Sequence, residues 1–290
     1  MTCTNYGLTG GKFCSKGNPM GIPTGIYFTT PGTTINAADF LLEATYQAAI
    51  KNETIYPING ADLFKGMEEA SAETRYHEFP NQSRSTMQQK VVRLVVVLDP
   101  NECQKKEILK FRNFNGRIFI EYGNWIRGTS TDAGATVKGA RLAMVNVESG
   151  MFNLSDGTKG TMRMVIDLLT EKDFDDYDYA REMAWDVLNL DGLTEVDLEQ
   201  TGAASATGIT IKVSGKCYGQ DYPIEGLTVD DFVITGTGAL TSASENTPGE
   251  YTFVGTTIAN DDTINLVSAA TISDDDLFIK SSGAATISGI

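Results

Sequence analysis

The run KVVRLVVVLD, residues 90–99, constrains this chain more than any other stretch. Its β-branched valines have few χ1 choices and pack best on a pleated surface, so it reads as a strand that is apolar on both faces. Arg93 requires one position that reaches solvent or a partner. The run is too short to cross a bilayer, and Arg93 interrupts it. The opening MTCTNYGLTGGKFCSKGNPMG has neither the basic start nor the apolar centre of a targeting peptide. Synthesis in the cytoplasm and no membrane insertion are therefore expected.

The segment after that strand sets the fold question. In DPNECQKKEILKFRNFNGRIFIEYGNW, residues 99–125, Asp99 reads as a helix cap, Pro100 as the first helical residue and Glu102 as a favourable first-turn acid. Ile108, Leu109 and Phe111 supply the apolar side, and Lys105, Lys106 and Lys110 the wet side. Asn115-Gly116 turns the chain into RIFIEY, where Ile118 and Ile120 face away from Arg117, Phe119 and Glu121. Strand–helix–strand fits an α/β enzyme with a ligand at the strand end, or a β-rich protein that covers a sheet with a helix. A second helix is expected over 36–51, capped by Asn36 with Asp39 three residues on. Before it, residues 1–34 are rich in Gly, Thr and Pro and read as an irregular arm with one short strand at GIYFTT. TRYHEF has the alternation of a half-buried strand.

The segments VKGARLAMVNVESGMF and GTMRMVIDLLT read as an antiparallel hairpin over 137–170, with Asp156-Gly157 supplying the turn. Alternation puts Leu142, Met144 and Asn146 on one face, opposite Arg141, Ala143, Val145 and Val147. In TEKDFDDYDYAREMAWDVLNL, Tyr177, Arg181, Ala184, Trp185 and Leu188 recur at helical intervals, with Thr170 or Asp173 as cap. GLTEVDLEQTGAASATG changes composition and reads as a join between domains. Beyond it ITIKVSGK, DDFVITG, EYTFVG, DTINLVS and LFIKS form short alternating strands that suit a small β-sandwich, broadly immunoglobulin-like but without the Cys, Trp, Cys pattern of an antibody domain.

The net charge of −15 is uneven: residues 1–166 carry 18 basic and 15 acidic side chains, whereas 200–290 carry 3 and 11. Such a balance disfavours a surface that grips nucleic acid; it reads first as ordinary solubility and is compatible with a surface past which DNA moves without sticking. Cys3, Cys14, Cys103 and Cys217 form no CxxC pair and are expected as thiols, and His77 has no ligand-spaced partner. Neither GLTGGKF nor GNWIRGTSTDAG has the spacing of a phosphate loop or dinucleotide turn. His77 in RYHEF reads as an ordinary strand residue, and SRST and SATG are not nucleophile elbows. The acids Asp173, Asp175, Asp176 and Asp178, and Asp274, Asp275 and Asp276, read as solvated charge, with weak calcium binding as the alternative. No catalytic residue, metal or cofactor is assigned, and the chain is not expected to be an enzyme.

Strands this apolar need their edges covered, and identical copies arranged in a closed ring can do so. Val92, Leu94, Val96, Leu98, Leu142, Met144, Met164 and Ile166 are the candidates for packing between subunits. The combination of KVVRLVVVLD, RIFIEY, the 137–170 hairpin, the DPNECQKKEILKFRNF helix and an appended β-sandwich resembles a bacteriophage tail-tube protein. The resemblance implies a mainly β fold with flanking helices, a tail-tube-like β-barrel or sandwich followed by a small immunoglobulin-like sandwich. The implied organisation is an arm at 1–34, an assembly domain at 35–198, a linker at 199–207 and the immunoglobulin-like domain at 208–290. It further implies hexameric rings stacked into a tube that guides double-stranded DNA during ejection, contacts with other phage tail proteins, and a place in the virion tail after assembly in the host cytoplasm. Glu148, Asp156 and Asp167 are then candidates for charges in the bore or between stacked rings. A capsid or decoration protein, a surface-binding adhesin module, and an enzyme or soluble ligand-binding protein are the alternatives.

Overall fold

The computed structural model describes residues 4–5, 12–13, 22–70, 75–78, 84–88, 92–132, 134–148, 161–169, 173, 178–217, 220–272 and 278–290. It is β-dominant with short helices. The first part of the chain contains β1 (Thr4–Asn5), β2 (Lys12–Phe13), β3 (Gly25–Thr29), β4 (Ile35–Asn36), α1 (Glu43–Lys51), β5 (Ile55–Ile58), β6 (Phe64–Glu69), β7 (Arg75–Glu78), β8 (Arg84–Gln88) and β9 (Arg93–Leu98). Next come α2 (Glu102–Leu109), β10 (Arg117–Tyr122), β11 (Trp125–Thr129), β12 (Thr136–Val137), β13 (Ala140–Glu148), β14 (Met162–Leu168) and β15 (Asp178–Glu182). The remainder holds β16 (Thr194–Gln200), β17 (Gly208–Cys217), β18 (Gln220–Pro223), β19 (Phe232–Thr235), β20 (Ala239–Thr247), β21 (Glu250–Thr256), β22 (Thr263–Leu266), β23 (Ile279–Ser281) and β24 (Ala285–Thr286).

One nine-stranded sheet organises the first unit. Its two halves, β13–β14–β9–β6 and β15–β11–β10–β3–β5, meet where Arg117 and Ile118 of β10 pair with Arg141 and Ala140 of β13. At that junction a Cβ on Gly139 would lie 2.7 Å from the backbone nitrogen of Ile118, so only glycine lets the strands come this close. The sheet curls enough for both halves to share one core, with Ile26, Phe28, Ile118 and Ile120 meeting Leu94, Val96, Met164 and Ile166, and Ile108 of α2 alongside. A second core behind β3 and β10 gathers Tyr27, Phe40, Tyr46, Ile50 and Phe119. β10 is therefore covered on both faces, and β3, expected within an irregular arm, is a fully buried interior strand between β10 and β5.

Three local expectations change. Asn36 belongs to β4 and does not cap a helix; α1 starts at Glu43 after a 3-10 turn at Asp39–Leu41, and Asn36 Nδ2 merely meets Asp39 Oδ2 at 3.3 Å. α2 is capped two residues later than Asp99. Gln104 N donates to Asn101 Oδ1 at 2.9 Å and Asn101 N to Gln104 Oε1 at 3.0 Å, the reciprocal pattern that satisfies two otherwise orphaned N–H groups. The helix expected after Thr170 does not run through the segment: Asp173 is helical, but Asp178–Glu182 is a strand paired residue for residue with β11, and a 3-10 turn, Val187–Asn189, comes after it. Helical spacing is a weak prior, and five residues of edge pairing outweigh it.

The C-terminal unit has two sheets. β20–β21–β17–β16–β23, with β18 also on β17, packs on β19–β22–β24. Val196, Ile211, Val213, Tyr251 and Phe253 from one sheet meet Phe232, Ile264 and Leu266 from the other. β16 pairs along β17 and runs parallel to β23, so this unit starts at Thr194, upstream of the stretch 199–207 expected as a linker. Residues 201–207 connect two of its own strands. The acids of TEVDLEQ hid the strand, because Glu195, Asp197 and Glu199 alternate with Val196 and Leu198 on its other face.

Candidate assembly surface

The half-sheet β13–β14–β9–β6 has one dry face and one mixed face. On the dry face Leu94, Val96, Leu98, Val145, Val147, Met164 and Ile166 all enter the core. Six of the positions expected to pack between subunits, Leu94, Val96, Leu98, Leu142, Met164 and Ile166, thus lie inside the protomer, and Val92 is partly buried against the same core. Alternation identifies an apolar face but not whether the protein's own core or a neighbour covers it. Met144 alone of the eight is exposed, at 43%. A β-bulge between Leu142 and Met144 turns Met144 outward with Asn146 and leaves Leu142, Val145 and Val147 inside, which corrects the expected grouping of Leu142 with Met144.

Pairing aligns the mixed face in three rows. Met144 stands beside Asp167 and Arg93; Asn146 beside Val165, Val95 and Glu68; Glu148 beside Arg163, Val97 and Gly66. Arg93 Nε and Nη2 donate to the two Asp167 oxygens at 2.7 and 2.9 Å. These hydrogen bonds, with the adjacent charge, hold the Arg93 guanidinium above the ordinary arginine value. Of the proposed bore or stacking charges, Glu148 is exposed, Asp167 is largely buried in this ion pair, and Asp156 lies outside the described residues. The face therefore carries near-balanced charge around a valine stripe.

The two long edges of this half-sheet differ. Along β13, Asn113 N donates to Val145 O and Arg112 Nη2 to Val147 O, both at 2.8 Å, so the chain leaving α2 closes that edge. At the other side β6 is the terminal strand among the described residues. Ala70 N bonds to Arg93 O, and alternation in an antiparallel ladder then turns the backbone N–H and C=O of Met67 away from β9. Glu68 and the register shift at Gly66 punctuate this edge.

A second polar group lies deep in the first unit. Glu121 of β10 is fully buried and accepts hydrogen bonds from the Thr24 hydroxyl at 2.6 Å and from the Tyr27 hydroxyl. Asn59 Nδ2 donates to Val187 O at 3.1 Å and to the Tyr27 oxygen at 3.5 Å, tying the 3-10 turn to the same cluster. Burial pushes the Glu121 carboxyl up, and the hydrogen bonds from Thr24 and Tyr27 offset that only in part. Burial, then Glu121, raises Tyr27 well above the ordinary tyrosine value. An acid following the apolar run Ile118–Ile120 was the signal, but alternation assigned it to the face of Arg117.

The acidic run considered for calcium is divided between arginines where it is described. Asp173 accepts from Arg141 N at 2.7 Å and pairs with its guanidinium at 2.8 Å, and Asp178 pairs with Arg127 at 2.7 Å. Asp175, Asp176, Asp274, Asp275 and Asp276, Cys3 and Cys14, and the side chains of His77, Cys103 and Cys217 lie outside the described residues. Among the described residues no group of three His, Cys, Asp or Glu side chains is placed to hold a metal ion, and no helix is long and apolar enough to cross a membrane. No family model, curated protein or solved structure matches the chain.

Proposed function

We propose that this chain is a self-assembling structural protein of the bacteriophage tail-tube type. Copies join side by side into rings, hexameric by the family resemblance, and the rings stack into a tube in the virion tail. The observation that carries this reading is the asymmetry of β13–β14–β9–β6: one face buried in the core, one face left with near-balanced charge, and a terminal strand at β6 among the described residues. Edge-to-edge joining through β6 would extend the sheet from copy to copy, with a β-barrel as the closed form. The face bearing Arg93, Asp167, Arg163 and Glu148 would then line the bore, where paired charges give double-stranded DNA little to grip. In this reading the C-terminal two-sheet unit is an immunoglobulin-like module on the outside of the tube, and other tail proteins cap its ends.

Electron micrographs of concentrated full-length protein test the reading. Open-ended tubes with a continuous bore are expected. Closed shells would support the capsid alternative, and a monodisperse monomer holding a ligand would overturn assembly altogether.

A further inference from the structure

The contact between the two units is built from two unlike parts. Phe278 stands just before β23, and its carbonyl accepts from Thr194 N at 2.8 Å, which fixes it beside the start of β16. Phe278, only 9% exposed, is not part of the C-terminal core and joins the second core of the first unit, the cluster that also holds Tyr46, Ile50, Val187 and Leu190. Lys51 Nζ lies 5.5 Å from the centre of the Phe278 ring, and Leu193 packs against the same core. Next to this plug runs a chain of charges: Lys280 Nζ lies 2.9 Å from Glu53 and 3.5 Å from Glu195, and Glu195 lies 3.5 Å from Lys110, which also meets Glu107 at 2.7 Å. Glu53 lies just past the end of α1, Lys110 just past the end of α2, and Glu195 and Lys280 belong to the C-terminal unit. Burial pulls the Lys280 ammonium down, but Glu53 and Glu195 outweigh it and leave it above the ordinary lysine value.

We infer that these contacts form a clasp that holds the C-terminal unit in one orientation on the first unit, with Phe278 as the plug and Lys110–Glu195–Lys280–Glu53 as a salt-sensitive latch. Residues 191–193 are too short a connection to act as a free tether once both ends are fixed in this way, and a Cβ added at Gly192 would lie 3.9 Å from Pro57. The ion pairs are partly exposed and individually weak, so they select the angle of docking, whereas the buried ring holds the units together. The clasp is a property of the single chain and does not require the tube. In a tube it would set the C-terminal units in a regular array instead of leaving them to swing.

Calorimetry and small-angle scattering on the full-length protein test the clasp. The wild type is expected to unfold in one transition and to keep one radius of gyration. Phe278→Ala should split the transition in two and enlarge the radius, while Phe278→Leu, which keeps an apolar plug, should restore most of the wild-type behaviour. Lys280→Ala, or raising salt from about 0.05 M to about 0.5 M, should broaden the range of inter-unit distances without splitting the transition. Two independent transitions in the wild type, or a Phe278→Ala protein that unfolds and scatters like wild type, would overturn the inference. If Phe278→Ala does not fold, the wild-type transition and the salt series decide alone.

Discussion

Arg93 and Asp167 face each other across β9 and β14, and two parallel hydrogen bonds of 2.7 and 2.9 Å join guanidinium to carboxylate. The carboxylate is largely buried while the arginine is about half exposed, so the two partners are not equivalent. The pair joins the central strands on the face proposed to line the bore and leaves neither charge unopposed there.

Removing Arg93 strands a buried carboxylate. Arg93→Ala should cost about 1–3 kcal/mol, and Asp167→Asn less, because an amide still accepts one hydrogen bond. Urea unfolding of both variants checks the order, and equal costs would mean that the pair is solvent-screened on both sides.

Val96 and Val165 separate folding from assembly. Val96 is fully buried in the core, so Val96→Asp places an ionised group in an apolar interior and should cost roughly 4 kcal/mol or more. Val165 is on the mixed face, and Val165→Asp should cost about 1 kcal/mol and leave a folded protomer. Circular dichroism melts distinguish the two, and a stable Val96→Asp protein would contradict the placement of this face in the core.

The start of α2 offers a local check. Asn101→Ala removes the acceptor for Gln104 N and should lower stability by about 1 kcal/mol. An unchanged midpoint in chemical denaturation would show that Asn101 does not cap α2.

Glu121 gives a pH signature. Its folded-state value is raised above the unfolded one, so the folded protein binds this proton more tightly. Stability from this group is present below the ordinary glutamate range and falls as pH rises from there through the folded value. Glu121→Gln should flatten the stability profile on the alkaline side of the ordinary glutamate range. An unchanged slope in urea midpoints would show that Glu121 is not the group responsible.

The legible parts of the fold were those in which one strand carries its own pattern. KVVRLVVVLD became β9, and RLAMVNV with TMRMVIDLL became the β13–β14 pair, because alternating apolar side chains encode a face directly. The parts that were not legible depended on partners distant in sequence. Arg181 fits a helix until β11 pairs with it, and GIYFTT reads as peripheral until β10 and β5 enclose it. The bulge that turns Met144 outward has no sequence marker of its own, and it changes which residues the candidate surface presents. Nothing in LFIKS indicates that Phe278 serves another unit's core, since burial in one core or another needs the same residue type.

The central claim is that β6 of one copy is completed by a neighbour. Cryo-electron microscopy of the assembled particle measures this directly, as the distance from the backbone of Met67 to the nearest strand of the adjacent copy. The account predicts a strand at about 4.8 Å, within a closed ring whose bore is lined by Arg93 and Asp167. A ring in which β6 borders solvent, or in which the Arg93–Asp167 face points to the outside, would contradict it.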